Sequence, residues 1–146
     1  MKISDAGLAL IKRSEGLRLD AYLDGANVPT IGYGSTLGVH MGQVITPGEA
    51  ERKLQEDIAR HDITPLLDGV PTKQCEYDAM TSLAFNIGLE RFRNSTVLKR
   101  HKLGMKDAAG QAFLLWRYIA GKPSQGLLNR REAERLMYLG KVACER

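Results

Sequence analysis

The chain has little from which a metal or redox centre could be built. It holds two cysteines in 146 residues, Cys75 and Cys144, far apart and outside any Cys-x-x-Cys pattern, so thiol redox chemistry and a zinc knuckle are poorly supported. Cys75 falls in a predicted helix and reads as a small buried residue. Cys144 sits in the tail, and the spacing leaves a bridge between the two open without calling for one. The three histidines, His40, His61 and His101, form no His-Glu-x-x-His or other compact ligand set. No metal and no cofactor are expected. His61 stands four residues after Asp57 on a predicted helix and reads as a local surface contact. Long hydrophobic runs are missing as well. Leu8-Ala9-Leu10-Ile11 is the longest early apolar stretch, too short for a signal h-region or a membrane span. The chain is therefore expected to begin in the cytosol with no stable membrane anchor. It also lacks low-complexity segments and solenoid-type repeats.

What is present is an ordinary folding composition: 43% hydrophobic and 26% charged residues, enough for one domain with a real core. The net charge of +4 suits a polyanionic partner, whether nucleic acid, an anionic membrane or an anionic cell wall, and does not choose among them.

Local signals give mostly helix. Ser4 caps a short helix running to Glu15, with Gly16 as its stop. Arg18 to Leu23 alternates, and Val28 to Tyr33 is β-branched and aromatic. Asp24-Gly25-Ala26-Asn27 lies between them, so a hairpin is predicted. Gly32, Gly34, Gly38 and Gly42 make the next stretch loop-like, with a short third strand near Gln43 to Ile45. Thr46-Pro47-Gly48-Glu49 reads as a capping box opening a helix that reaches His61 or Ile63 and is ended by Pro65. Pro71-Thr72 opens another helix, with Tyr77, Met80, Leu83, Ala84 and Ile87 on one face and Gly88 as its stop. Ser95 caps a helix to about His101. Met105 or Lys106 begins one carrying Ala109, Ala112, Phe113 and Trp116. Residues 121–126 read as a loop, and Leu127 to Leu139 as the last helix. No strand–helix–strand alternation appears, so the class is α+β.

Three groups converge in the stretch 15–34. Glu15 lies at the last turn of a helix, where the negative end of the dipole disfavours the carboxylate and favours the protonated acid. Asp24 is in the turn, and Thr30 follows it. One carboxylic acid and one carboxylate facing each other are what glycoside hydrolysis requires, the acid for the leaving oxygen and the carboxylate for water or the sugar cation. A neighbouring hydroxyl can hold the water. Each residue taken alone has a bland explanation.

The motifs together resemble the phage-type lysozymes, the endolysins of glycoside hydrolase family 24. The resemblance rests on Glu15-Gly16-Leu17-Arg18-Leu19, Asp24, and Thr30-Ile31-Gly32-Tyr33-Gly34. It continues through Asp78-Ala79 to Phe85-Asn86-Ile87-Gly88, then Asn94-Ser95-Thr96, Phe113-Leu114-Leu115-Trp116, and the run from Gly126 to Arg135. It implies a mainly helical lysozyme-like fold over residues 1–146. A small β lobe would span about 16–46, joined by a helix at about 47–63 to a larger helical lobe of 1–15 and 64–146, with the active-site cleft between the lobes. It further implies Glu15 as proton donor, Asp24 as the water-directing carboxylate and Thr30 as its helper. Phe85, Asn86 and Ser95 would contact substrate, and Arg130 would support the catalytic acid. The implied activity is lysozyme (EC 3.2.1.17): hydrolysis of the β-1,4 bond between N-acetylmuramic acid and N-acetylglucosamine in peptidoglycan by an inverting mechanism. A monomer held in the host cytoplasm until a holin releases it to the periplasm goes with that reading, and nucleic acid is not an expected partner. Ser35 departs from the family, which usually carries His at that place. Two other readings compete. A lytic transglycosylase would cut the same bond with mainly one acid. A basic helical nucleic-acid-binding module would use Arg91, Arg93, Lys99, Arg100 and Lys102.

Overall fold

The structure, a computed structural model, describes residues 1–142; Cys144 lies outside them. The chain divides into two compact units, residues 11–60 and residues 1–10 with 61 onward. Helix α1 (Asp5–Glu15) begins in one and ends in the other.

In the smaller unit, β1 (Arg18–Leu23) and β2 (Pro29–Gly32) form the expected antiparallel hairpin, with Tyr22 opposite Thr30 and Leu23 opposite Pro29. A register shift between Arg18 and Tyr22 bends β1. The predicted third strand is reduced to an isolated bridge between Asp20 and Val44, supported by Ala21 N–H to Gln43 O at 2.9 Å and Ile45 N–H to Leu19 O at 2.9 Å. Glycines before it keep that segment a loop. Ala21, Ile31, Ile45 and Ala50 form the core. Gly32 adopts φ 67, and a Cβ there would lie 3.4 Å from the Cβ of Ala50, so its bare backbone lets β2 approach helix α2 (Pro47–Ala59). The Thr46–Glu49 capping box forms as predicted. The helix stops earlier than predicted, at Ala59 with Arg60 as cap. Asp62 draws the chain into a turn by accepting from Thr64 N–H at 2.9 Å. Pro65, read as the stop, instead sits in the first turn of a 3-10 segment, Thr64–Leu67.

The larger unit is built on α3 (Gln74–Ile87), buried on every side from Cys75 to Ala84. It packs against α7 (Gln125–Tyr138). Its start is Lys73, two residues later than the sequence cue, where the Glu76 carboxylate accepts from Lys73 N–H at 2.8 Å. Asp78, buried on α3, is matched: it accepts from Ser4 N–H at 3.0 Å and from Gln74 Nε2 at 2.8 Å. Between α3 and α7 run α4 (Leu89–Arg93), α5 (Thr96–Lys102) and α6 (Lys106–Ala112). Helix α4 was not predicted; five residues are too few for a periodic signal. Phe113–Leu115 continues α6 as a 3-10 turn, leaving Trp116 beyond the helix. The predicted loop at 121–126 contains half of a two-residue hairpin, β3 (Tyr118–Ile119) with β4 (Lys122–Pro123). Its turn, Ala120-Gly121, has φ 50 and 79, and an Ala in the left-handed position hides the signal that Asn-Gly would give. The core runs through Leu10, Met80, Leu83, Phe92, Val97 and Phe113.

One buried histidine organises this unit. His101 has no exposure and sits between Tyr138 Oη, 2.7 Å from Nδ1, and Thr72 Oγ1, 2.9 Å from Nε2, with Lys106 Nζ 3.3 Å from Nδ1. Burial, and then the Lys106 charge, hold its pKa below the usual histidine value.

Candidate active site

Glu15 is the last residue of α1, and Gly16 follows at φ 74 with its N–H on Lys12 O at 3.0 Å. The helix ends there because glycine adopts the left-handed conformation without a Cβ penalty. Lys12, one turn earlier, pairs with Glu51 of α2 and stands 5.8 Å from the centroid of the Tyr33 ring. These contacts fix the last turn of α1. The half-buried Glu15 carboxylate lies over the loop that leaves β2: a Cβ built on Gly34 would be 3.4 Å from Glu15 Oε1. Gly34 is therefore a close-approach glycine, and its φ of 90 suits no other residue type well.

The hairpin turn holds the second carboxylate by one oxygen. Asp24 Oδ1 accepts from Ala26 N–H at 2.8 Å and Val28 N–H at 2.9 Å. The turn is closed by Asp24 N–H to Val28 O at 3.1 Å and Asn27 N–H to Asp24 O at 3.0 Å, with Asn27 at φ 60. Oδ2 is left with no protein partner among the described residues. Thr30 is buried, and its hydroxyl donates to Val28 O at 2.8 Å. Its oxygen can thus only accept from anything else. Val28 is the shared frame: its N–H holds Asp24 and its C=O holds Thr30. Asp20, the other carboxylate of the hairpin, is exposed and bound by Arg18 Nη2 at 3.2 Å. The Arg18 hydrogen bond, and then its charge, hold the Asp20 carboxyl below the usual range. Asp24 has no such counter-ion among the described residues.

Ser35 is buried under this floor. Its hydroxyl donates to Asp57 Oδ2 at 2.6 Å, while Ile31 and Ser35 exchange both backbone hydrogen bonds at 2.9 Å. Asp57 also pairs with Arg60. A neutral hydroxyl therefore ties the loop that leaves β2 to a carboxylate of α2. The sequence left that support open, because Ser35 and Asp57 are 22 residues apart.

The remaining candidates lie in the larger unit. Phe85 is half-buried, with the His61 ring edge-on at 5.6 Å and 60°. His61 follows α2 in a turn and packs on an aromatic ring, so its predicted place on a helix is corrected. Asn86 is exposed near the end of α3, beside Ile87, Trp116 and Tyr118 in a groove of about 490 Å³. Ser95 is buried, and its hydroxyl oxygen caps α5 by accepting from Leu98 N–H at 3.2 Å. Arg130 is also buried rather than solvated on a basic helix. Its guanidinium bonds Glu134 Oε2 at 3.4 Å and Ser82 O at 3.4 Å. Arg131 joins the same carboxylate, 2.7 Å from Glu134 Oε1, and Ser82 Oγ donates to Oε2 at 2.5 Å. Full burial pushes the Glu134 carboxyl up, against the pull of Arg131 and then Arg130. Sequence reading passed over Glu134, although its spacing of three and four residues from the two arginines was a usable cue.

Comparison with known proteins agrees across the chain. The phage lysozyme family model matches residues 12–134. The endolysin of Acyrthosiphon pisum secondary endosymbiont phage 1 is 46% identical over 145 residues, spanning 94% of this chain and 98% of that protein. Among solved structures, the endolysin from Escherichia coli O157:H7 phage FAHEc1 superposes with a TM-score of 0.88 at 39% identity, covering 99% of this chain and 98% of that one. A P22 lysozyme mutant gives a TM-score of 0.85 at 42% identity, covering 95% and 99%.

Proposed function

The chain belongs to the phage lysozyme family, and from that premise we propose that it is an endolysin acting as a muramidase, hydrolysing the bond between N-acetylmuramic acid and N-acetylglucosamine in peptidoglycan. The observation that carries this reading is the half-clamped Asp24: one oxygen locked by two backbone amides, the other open, beside a threonine oxygen that can only accept. Such a pair suits a water molecule, with one proton directed to Asp24 Oδ2 and the other to Thr30 Oγ1.

In the proposed reaction Glu15 gives its proton to the glycosidic oxygen as the bond from the anomeric carbon to that oxygen breaks. Water attacks the anomeric carbon and loses a proton to Asp24. The products are a free muramic hemiacetal and the released hydroxyl of the glucosamine. Transfer of one proton from Asp24 through solvent to Glu15 restores both groups. Phe85, Asn86 and Ser95 are proposed to contact sugar, with Arg130 in support. We read the protein as a monomer that reaches the periplasm from the cytoplasm once a holin opens the membrane.

The test is loss of turbidity of outer-membrane-permeabilised Gram-negative cells with wild type and Glu15→Gln. The variant should lose at least 10²-fold of the activity, the lower range for a general acid; equal lysis would overturn the assignment. End-group analysis of the muropeptides separates the chemistries. Reducing muramic ends are expected, and 1,6-anhydro ends would make the protein a lytic transglycosylase.

A further inference from the structure

Between residues 91 and 106 the chain carries six Lys or Arg residues and no Asp or Glu, from totals of 21 and 17. The remainder of the chain therefore holds more acidic than basic groups, and the positive charge of the protein is concentrated here. The inward members of this set are engaged: Arg100 donates to Ala108 O at 3.0 Å and Lys106 to Glu76 Oε1 at 3.1 Å. Three outward members, Arg93, Lys99 and Lys102, line a groove of about 550 Å³ in the larger unit over Leu98 and Leu103, with no carboxylate and no aromatic ring in its wall; Arg91 lines a different groove, beside Asn86 and Trp116. Lys99 has no partner among the described residues. Arg93 meets Glu90 only at 3.9 Å, and Lys102 pairs with Asp68 at the surface. Such exposed pairs are weak and exchange readily for another anion.

At the end of α5 two large apolar side chains stand in water, Leu103 at 65% exposure and Met105 at 50%. Neither belongs to the core. Cations beside outward-facing aliphatic side chains match an interface with phosphate on one side and hydrocarbon on the other. We propose that α5 and the turn after it form a peripheral docking face for an anionic phospholipid bilayer. Arg93, Lys99 and Lys102 would meet headgroup phosphates, and Leu103 and Met105 would enter the acyl boundary. Nucleic acid fits less well, since the groove offers no ring on which a base could stack and the seven residues of α5 are short for reading a groove. A bare polyanionic glycan would leave the two apolar side chains without a role. No helix among the described residues is long and apolar enough to cross a membrane, so attachment by this face is reversible. It does not depend on the chemistry proposed for Glu15 and Asp24, although Ser95, a proposed sugar contact, lines the same groove.

The test is co-sedimentation of the purified full chain with phosphatidylcholine vesicles, with and without one-third phosphatidylglycerol, at physiological ionic strength. Binding should require phosphatidylglycerol and weaken as salt is raised. Lys99→Glu, a change of two charge units, should weaken it roughly 25-fold, from about fivefold for each unit of charge at an anionic surface. Leu103→Ser should weaken it at unchanged net charge, and Arg13→Glu, an equal charge change in the other unit, should leave it near wild type. Exposure of Lys99, Leu103 and Arg13 lets an unchanged melting temperature confirm folding in each case. Absence of phosphatidylglycerol-dependent binding would overturn the proposal. So would equal weakening by Arg13→Glu and Lys99→Glu, or wild-type affinity of Leu103→Ser. Tighter binding to duplex DNA than to these vesicles would replace it with the nucleic-acid reading.

Discussion

Replacing Gly34 with Ala separates the backbone requirement at this position from its closeness to Glu15, the proposed acid. Two costs follow from the geometry. The φ of 90 places an L-residue in left-handed space, which costs about 1–2 kcal/mol for a residue with a Cβ. For a chain of this size that corresponds to a melting-temperature drop of roughly 2–8 °C. The second cost is local. The new methyl carbon would lie 3.4 Å from Glu15 Oε1, at van der Waals contact, so any displacement of the carboxylate is no more than a few tenths of an ångström. A misplacement of 1 Å can cost about 10²-fold in rate, so a smaller shift should lower kcat by about three- to tenfold. Gly38→Ala is the control: its φ is 70, with no atom within 4 Å of the added methyl. Calorimetry and initial rates of cell-wall clearing on both variants provide the measurement. Similar melting losses with a rate loss confined to Gly34→Ala support the placement of Glu15 over Gly34. Full activity in Gly34→Ala, or equal rate losses in both, would refute it.

Ser35→Ala removes the 2.6 Å bond to Asp57 from a buried position. It should cost about 1.5–3 kcal/mol, the range for a hydrogen bond to a charged group, read as a lower urea midpoint. His101 gives a pH signature. Its folded pKa lies below the ordinary histidine value of about 6.5, so the unfolded chain binds more protons as acid is added. Its contribution is complete above about pH 6.5 and is lost as pH falls through that value toward the folded pKa. Urea midpoints should decline over that interval in wild type and decline less in His101→Gln; parallel pH profiles would contradict this. Ala120→Gly relieves φ 50 in the β3–β4 turn. It should raise stability by about 1 kcal/mol, or roughly 2–4 °C in melting temperature.

Much of the fold was legible because its signals are local. Thr46-Pro47-Gly48-Glu49 forms its cap from four consecutive residues, and Gly16 stops α1 through its own backbone freedom. The hairpin at 18–32 announced itself by alternation around an Asp-Gly turn. Elements too short to develop a period did not show: α4, the β3–β4 hairpin behind Ala120, and the early end of α2 set by the Asp62 turn. The polar interior was the least visible part. Arg130 and Arg131 look like surface cations on a charged helix, yet both are buried around Glu134, because burial depends on what another helix presents.

The stretch 15–34 shows the same division within the candidate site. Its residue types and order determined the chemistry that could be assembled there: an acid ending a helix, a carboxylate in a turn and a hydroxyl on the returning strand. Which atoms remain available was decided only by the folded chain. Val28 takes one oxygen of Asp24 through its N–H and the hydroxyl proton of Thr30 through its C=O. Gly34 brings bare backbone beneath Glu15, and Ser35 finds Asp57 across 22 residues. Residue identity sets what a group can donate or accept, whereas hydrogen-bond partners are distances and angles, and those exist only once separate segments have packed.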